Sequence, residues 1–300
     1  MAMNRALFAK QLEPGLNTLF GLEHSRYPEQ WKEIFAQNTS SKAFEEDNLL
    51  EGFGAASVKA EGSAVAYDTA AELWTARYNH ETIALAFSIT EEAEEDGQYG
   101  SIGQRYVKAL ARSMVHTKEI KASTILNNMF TSGTGGDGQY LGVTTHPTGA
   151  GNQSNILATA ADLTETSLEQ VLINISNMDD DRGIPIAAMG TKLVIPTALA
   201  FIAERLTAST LRTATADNDI NAVRSAGFLP QGYTVNNRLN DTDGWFVMTD
   251  VPDGLKMFQR RALTRGMEGD FETGNIRYKT SERYSFGWTD WRGIFGTPGA

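Results

Sequence analysis

TSGTGGDGQY, residues 131–140, is the stretch of this chain whose residue types and spacing most invite chemistry. Gly133, Gly135 and Gly138 spell the G-x-G-x-x-G of dinucleotide sites, and Gly133 and Gly138 are also spaced as the two glycines of a phosphate loop. Both motifs hold phosphate at a helix N-terminus, where free backbone N–H groups and the positive end of the dipole face the anion. Here the order is reversed: a long helical pattern ends at about Thr131, and the glycines follow at its negative end. Gln139 and Tyr140 also stand where the phosphate loop requires Lys and Ser or Thr. A helix C-cap with Gly133 or a neighbour at positive φ, then a tight turn at Asp137-Gly138, accounts for the same residues. Gly133, Gly135, Gly136, Asp137 and Gly138 are therefore expected to form a structural turn.

Other chemistry has less support. Asp217, Asp219 and Asn221 match the first three ligand positions of a calcium-binding loop, but Ala222 and Phe228 replace its glycine and its bidentate Glu. Asp179, Asp180 and Asp181 point in different directions on any regular backbone, so DDDRG reads as a solvated loop. His24, His80, His116 and His146 show no ligand spacing and read as surface or helix residues. Cysteine is absent and no G-x-S-x-G occurs, which excludes thiolate ligands, disulfides and a serine elbow. No catalytic residue, cofactor or metal site is expected.

The elements around these residues come from composition and period. With 41% hydrophobic and 21% charged residues the chain is globular. No stretch approaches the roughly 18 apolar residues of a membrane helix, and no secretory leader is evident. A formal net charge of −11 argues against a dedicated nucleic-acid binder. Charge is uneven, however: residues 51–100 hold ten acids against Lys59 and Arg77, whereas residues 101–130 hold Arg105, Lys108, Arg112, Lys118 and Lys121 against Glu119. This division reads either as two solvated faces or as an acidic segment meeting a basic helix on another subunit.

Residues 1–50 settle into no period and read as an extended arm. Residues 51–80 are rich in Gly and Ala and bury little by themselves, so they are a floppy insertion or a long hairpin lying on something else. IALAFSIT is a strand. Ile102, Tyr106, Leu110 and Met114 recur every four residues, and Ile120, Ile125, Met129 and Phe130 extend the stripe, which predicts a helix over 101–130, roughly 45 Å long. A second helix spans 163–178, capped by Thr164 or Thr166, with Leu168, Val171, Leu172 and Ile175 on one side. KLVIP, a helix at 197–208, and strands at GYTVNN, GWFVMTD and GLKMFQRRAL complete a mixed α/β unit. The last thirty residues alternate around Tyr278, Tyr284, Phe286, Trp288 and Trp291, a β pattern with an aromatic face.

The flanks of the glycines are more specific than the glycines. NNMFTSGTGGDGQYLGVTTHP, residues 127–147, resembles a segment of tailed-phage major capsid proteins in which the spine helix ends in an Asn-rich turn, a TGGDG loop and a strand ending in T-x-HP. WTDWRGIFGTPGA, residues 288–300, resembles the W-x-DWRG ending of the same proteins. The order of elements agrees over nearly the whole chain. The resemblance implies an α+β, HK97-like capsid fold. Its parts would be an N-arm at 1–50, an E-loop at 51–82, a peripheral domain at 83–155 and 255–300 with the spine helix at about 101–131, and an axial α/β domain at 156–254.

It implies a shell subunit rather than an enzyme, assembling as pentamers and hexamers into an icosahedral head around a double-stranded DNA genome. Expected partners are other copies of the chain, a separate scaffolding protein because the sequence starts close to the arm, a portal, a decoration or cement protein, and packaged DNA without sequence-specific contact. No membrane partner is expected; the place is the virion capsid, assembled in the host cytoplasm. Inter-subunit contacts are expected at Lys59 and Trp74, and at the acidic strip Glu91, Glu92, Glu94, Glu95 and Asp96, facing Arg105, Arg112 or Lys121 of a neighbour, or an N-arm. Lys59 is the sole lysine of the E-loop, but no Asn partner or assisting acid matches, so no covalent cross-link is expected. The rivals are an encapsulin-like nanocompartment shell with the same fold and a phosphate-binding α/β enzyme.

Overall fold

Two four-stranded sheets, each with helices packed on it, organise the chain. The structure is a computed structural model and describes residues 6–90, 99–211, 219–270 and 274–300. In the first sheet the spatial order is β1 (Ala36–Thr39), β10 (Leu255–Gly269), β11 (Ile276–Trp288) and β4 (Glu81–Ile89), with β1 parallel to β10 and the other pairs antiparallel. The second sheet runs β12 (Ile294–Thr297), β9 (Trp245–Thr249), β7 (Gly190–Ile195) and β8 (Tyr233–Val235), with β7 and β8 parallel. Two ribbons stand apart, β2 (Phe44–Leu50) with β3 (Glu72–Asn79), and β5 (His146–Thr148) with β6 (Gly151–Gln153). The helices are α1 (Ala6–Arg26), α2 (Tyr99–Asn127), α3 (Glu165–Ser176), α4 (Ala200–Ala208) and a single turn, α5 (Ala222–Ser225).

Local sequence explains the helices read from period. The Thr164 hydroxyl accepts from Ser167 N while the Ser167 hydroxyl accepts from Thr164 N, a capping box that starts α3. Leu168, Val171, Leu172 and Ile175 then face the core as their spacing requires. In α2, 29 residues make a rod of roughly 43 Å. Its buried face is Val107, Leu110, Ala111, Met114, Val115, Ala122 and Leu126. The four-residue stripe drifts off that face because a turn holds 3.6 residues, so Tyr106 and Ile120 end up 50% and 43% exposed.

Two expectations are corrected. Residues 6–26 are a helix, not extended arm. Leu16 and Phe20, with Leu19 beside them, pack on Val107, Leu110, Ala111 and Tyr278, and Asn17 accepts from Tyr278 Oη at 2.8 Å. That stripe is one turn long and follows Pro14, so it forms no readable period; packing on α2 and β11 stabilises it. GLKMFQRRAL does not join the α/β unit: β10 lies between β1 and β11 in the first sheet. Within 255–300, β12 leaves the first sheet and pairs antiparallel with β9 in the second.

A polar cluster lies buried where α2 crosses β11. Lys118 Nζ donates to Glu282 Oε2 at 3.1 Å and sits 5.0 Å and 4.9 Å from the centres of the Trp31 and Tyr284 rings. Next to it Glu119 is 2% exposed and accepts weakly from Trp31 N at 3.4 Å. Burial pushes the Glu119 carboxyl above its ordinary range, only partly opposed by the backbone donors of Trp31 and Gln30. A folded value above the unfolded one gives stability that is full below the unfolded pKa and is lost as pH rises through the folded pKa. Glu119→Gln is therefore expected to stabilise the chain by about 1 kcal/mol at pH 8 and by little at pH 4. Denaturation midpoints at the two pH values check this, and equal shifts would remove the charge explanation.

Candidate assembly surfaces and the junction that positions them

After Asn127 the chain leaves α2 through turns in which Thr131 N and Ser132 N both donate to Asn128 O at 3.1 Å. Gly133, at φ +88°, reverses it. Gly135 N donates to Gln139 O at 2.8 Å, Gly138 N to Gly135 O at 3.1 Å, and Gln139 N to Asp137 Oδ1 at 3.1 Å. Three amides of the turn are thus satisfied inside it, one of them by a carboxylate. Two glycines serve a purpose other than φ. A Cβ on Gly135 would lie 1.9 Å from the Trp288 ring, and one on Gly136 would lie 2.7 Å from Trp74 Cδ1 and 2.9 Å from Thr75 O. The turn is wedged between β3 and the end of β11.

It also reaches the C-terminal motif. The Asp137 side chain is fully buried and its Oδ2 lies 2.6 Å from Nδ1 of His146, itself fully buried. His146 Nε2 lies 3.2 Å from Asn155 Oδ1, whose amide donates to Leu141 O, Trp291 O and Ile294 O at 2.7, 3.2 and 3.1 Å. Those three bonds fix the Asn155 amide with its oxygen toward the imidazole, so each ring nitrogen has a side-chain oxygen within hydrogen-bond distance. The ring stacks on Trp291 with centroids 4.3 Å apart. With both nitrogens engaged and the faces covered, this Asp–His pair is a structural tie between the TGGDG and DWRG stretches.

The adjacent residue ties in another segment. Arg292 is 3% exposed; its Nη2 donates to Asp181 Oδ1 at 3.0 Å, its Nε to Asp179 O at 3.0 Å, and its Nη1 approaches Asp290 Oδ1 at 3.4 Å. Asp181 is therefore no solvated carboxylate. His146 and His80 likewise are not surface residues: His80, on the β3–β4 turn, lies 2.9 Å from Ser285 Oγ and 3.0 Å from Ser40 Oγ. Burial lowers the His80 pKa, with Arg283 adding to the effect. No local signal marks these partners. Asp181 and Arg292 are 111 residues apart, and only the shared Trp-Asp-Trp-Arg context singles out Arg292.

The remaining expected contact residues are spread over the surface. Residues 51–71 join β2 to β3 without a ladder of their own, and there Val58 and Tyr67 are 100% and 97% exposed, with Phe53 and Val65 also open. Lys59 is exposed on this tip. Trp74 is half-buried against Gly136 of its own chain. Arg105 and Arg112 are exposed on α2, but Lys121 pairs with Glu81 of its own chain. Glu91, Glu92, Glu94, Glu95 and Asp96 lie outside the described residues. Among the described residues no group of three His, Asp or Glu is placed to hold a metal ion, and no helix is long and apolar enough to cross a membrane.

A family model described as phage capsid protein matches residues 72–296. No curated protein sequence matches the chain. Among solved structures, the virus-like particle from Pyrococcus furiosus superimposes with a TM-score of 0.58 at 11% identity, covering 95% of this chain and 98% of that chain. The capsid of the cyanophage P-SCSP1u gives 0.54 at 11% identity, covering 89% and 86%. The capsid of an empty GTA particle gives 0.53 at 12% identity, covering 89% and 88%. At these identities the likeness is one of fold.

Proposed function

The chain belongs to the phage capsid protein family and has an HK97-like fold, and on that premise we propose how this major capsid protein, a component of the virion shell, assembles. The reading is that copies meet head to tail, that the rotation closes into pentamers and hexamers, and that these tile an icosahedral shell around double-stranded DNA. One observation carries it: a tip of bare backbone and uncovered Val58 and Tyr67, which has no core of its own and gains a defined place by lying on a second copy. Residues 51–82 take the part of an E-loop in this reading, the first sheet with α2 that of a peripheral domain, and the second sheet with α3, α4 and α5 that of an axial domain. The β12–β9 pairing supports counting residues 294–297 with the axial unit.

The net charge of −11 supports a shell that encloses DNA without holding it tightly, since tight binding needs a basic surface. Assembly in the host cytoplasm belongs to the same reading. An encapsulin-like compartment shares the fold, but the family match favours the phage side. Negative-stain microscopy of the purified chain tests the proposal: uniform icosahedral particles are the expected outcome, and persistent monomers even with a scaffolding protein supplied would overturn it.

A further inference from the structure

At the neck of the exposed tip one side chain of the body reaches both strands. Arg182 Nε faces Glu51 Oε1 at 3.0 Å on the outgoing strand; its Nη2 donates to Thr69 O at 2.7 Å and lies 3.7 Å from Asp68 Oδ1 on the returning strand. Asp68 in turn spans the neck, its Oδ2 accepting from Gly54 N at 2.7 Å and its Oδ1 from Thr69 N at 2.9 Å. A planar guanidinium with five donors in a fixed fork can engage two strands at once.

The other end of Arg182 is rigid. It sits on a tight turn in which Asp180 Oδ1 accepts from Arg182 N and Ile184 N, each at 2.8 Å, and Gly183 stands at φ +79°. That turn is fastened to the body by Arg292 through Asp179 O and Asp181, by Gln153 Nε2 donating to Asp180 O at 3.0 Å, and by Ala150 N donating to Asp181 O at 3.1 Å. The links just named from Arg182 back to the core are thus hydrogen bonds with at least one backbone partner, or a buried ion pair, while the tip beyond Arg182 is exposed.

We infer that Arg182 is the positioning residue that aims the tip, holding residues 51–71 in one direction relative to the body before a second copy covers them. The inference about the free chain stands on these contacts alone; its consequence for assembly rests on the shell reading. Arg182 is partly solvated, with 29% of its side chain exposed, so its contacts are of the weak surface kind. They are too weak to decide folding, yet they bias the direction of a loop that little else holds.

The absence of cysteine allows a direct test. Spin labels on Lys59→Cys and Gln170→Cys in the unassembled full-length chain report the distance from the tip to the outside of α3. One narrow distance distribution is expected with Arg182 present, and a broad one in the Arg182→Ala background, with the urea midpoint unchanged. Arg182→Lys should stay broader than the wild type, because an ammonium lacks the fixed planar fork that fits the two strands together. A broad distribution with Arg182 in place, or a narrow one without it, would overturn the inference whether or not the chain forms shells. In the unlabelled protein, Arg182→Ala should raise the concentration needed for particle assembly about tenfold. An unchanged threshold together with a broadened distribution would sever the assembly consequence and leave the aiming role standing; a wild-type chain that never forms particles would instead count against the shell reading.

Discussion

Gly135→Ala is expected to lose about 4 kcal/mol, most of the margin that keeps a domain folded. The added methyl would stand 1.9 Å from Trp288 Cη2, with two further ring atoms at 2.4 and 2.7 Å. That ring belongs to the main hydrophobic core, so it cannot swing aside as an exposed side chain would. The turn cannot retreat either, because Gly135 is tied to Gln139 and Gly138 by backbone hydrogen bonds and Asp137 is anchored to His146. Gly138→Ala is the contrasting variant: nothing lies within 4 Å of its Cβ, and only φ +75° opposes the side chain, at about 1 kcal/mol. Urea midpoints of the unassembled chains measure both. If the two variants lost equal stability, backbone conformation rather than close approach would be what Gly135 supplies.

Arg292→Ala is expected to lose about 3–5 kcal/mol at pH 8, because removing one member of a buried ion pair strands the other. Here two carboxylates are stranded, those of Asp181 and Asp290, which are 5% and 7% exposed. Burial already pushes the Asp290 carboxyl upward, against the opposing pull of Arg292. Without the guanidinium that opposition is gone and Asp290 is driven further toward its protonated form. Its folded pKa then lies well above the unfolded one, so the stability that protonation supplies is complete below the unfolded pKa and lost as pH rises through the folded value. The variant should accordingly recover part of its loss between pH 8 and pH 5. A loss that does not change with pH would mean that Arg292 acts through packing on Trp291, whose ring lies 4.4 Å away, rather than through charge.

The two long-period helices were legible in the sequence because their information is local. A capping residue and an apolar face repeating every three or four residues act within one turn of themselves, and α3 follows both. The glycine turn was legible for a similar reason: a phosphate site must precede its helix, and this turn follows one. α1 was not legible, since Leu16 and Phe20 make a single turn of stripe that is helical only once α2 and β11 cover it. The sheet that residues 294–297 join was not legible either, because Ile-Phe-Gly-Thr suits either sheet and pairing with β9 decides between them.

By itself the sequence determined that the chain is a globular α+β protein with a long helix ending in a structural glycine turn, and that two separated motifs mark it as a shell subunit. Only the tertiary structure decided that these motifs touch. Asp137, His146, Asn155 and Trp291 converge across as many as 154 positions of chain, and Arg292 finds Asp181 across 111. A charge or an imidazole carries no periodic signature, and whether burial makes it a tie or leaves it solvated depends on neighbours that the fold alone delivers.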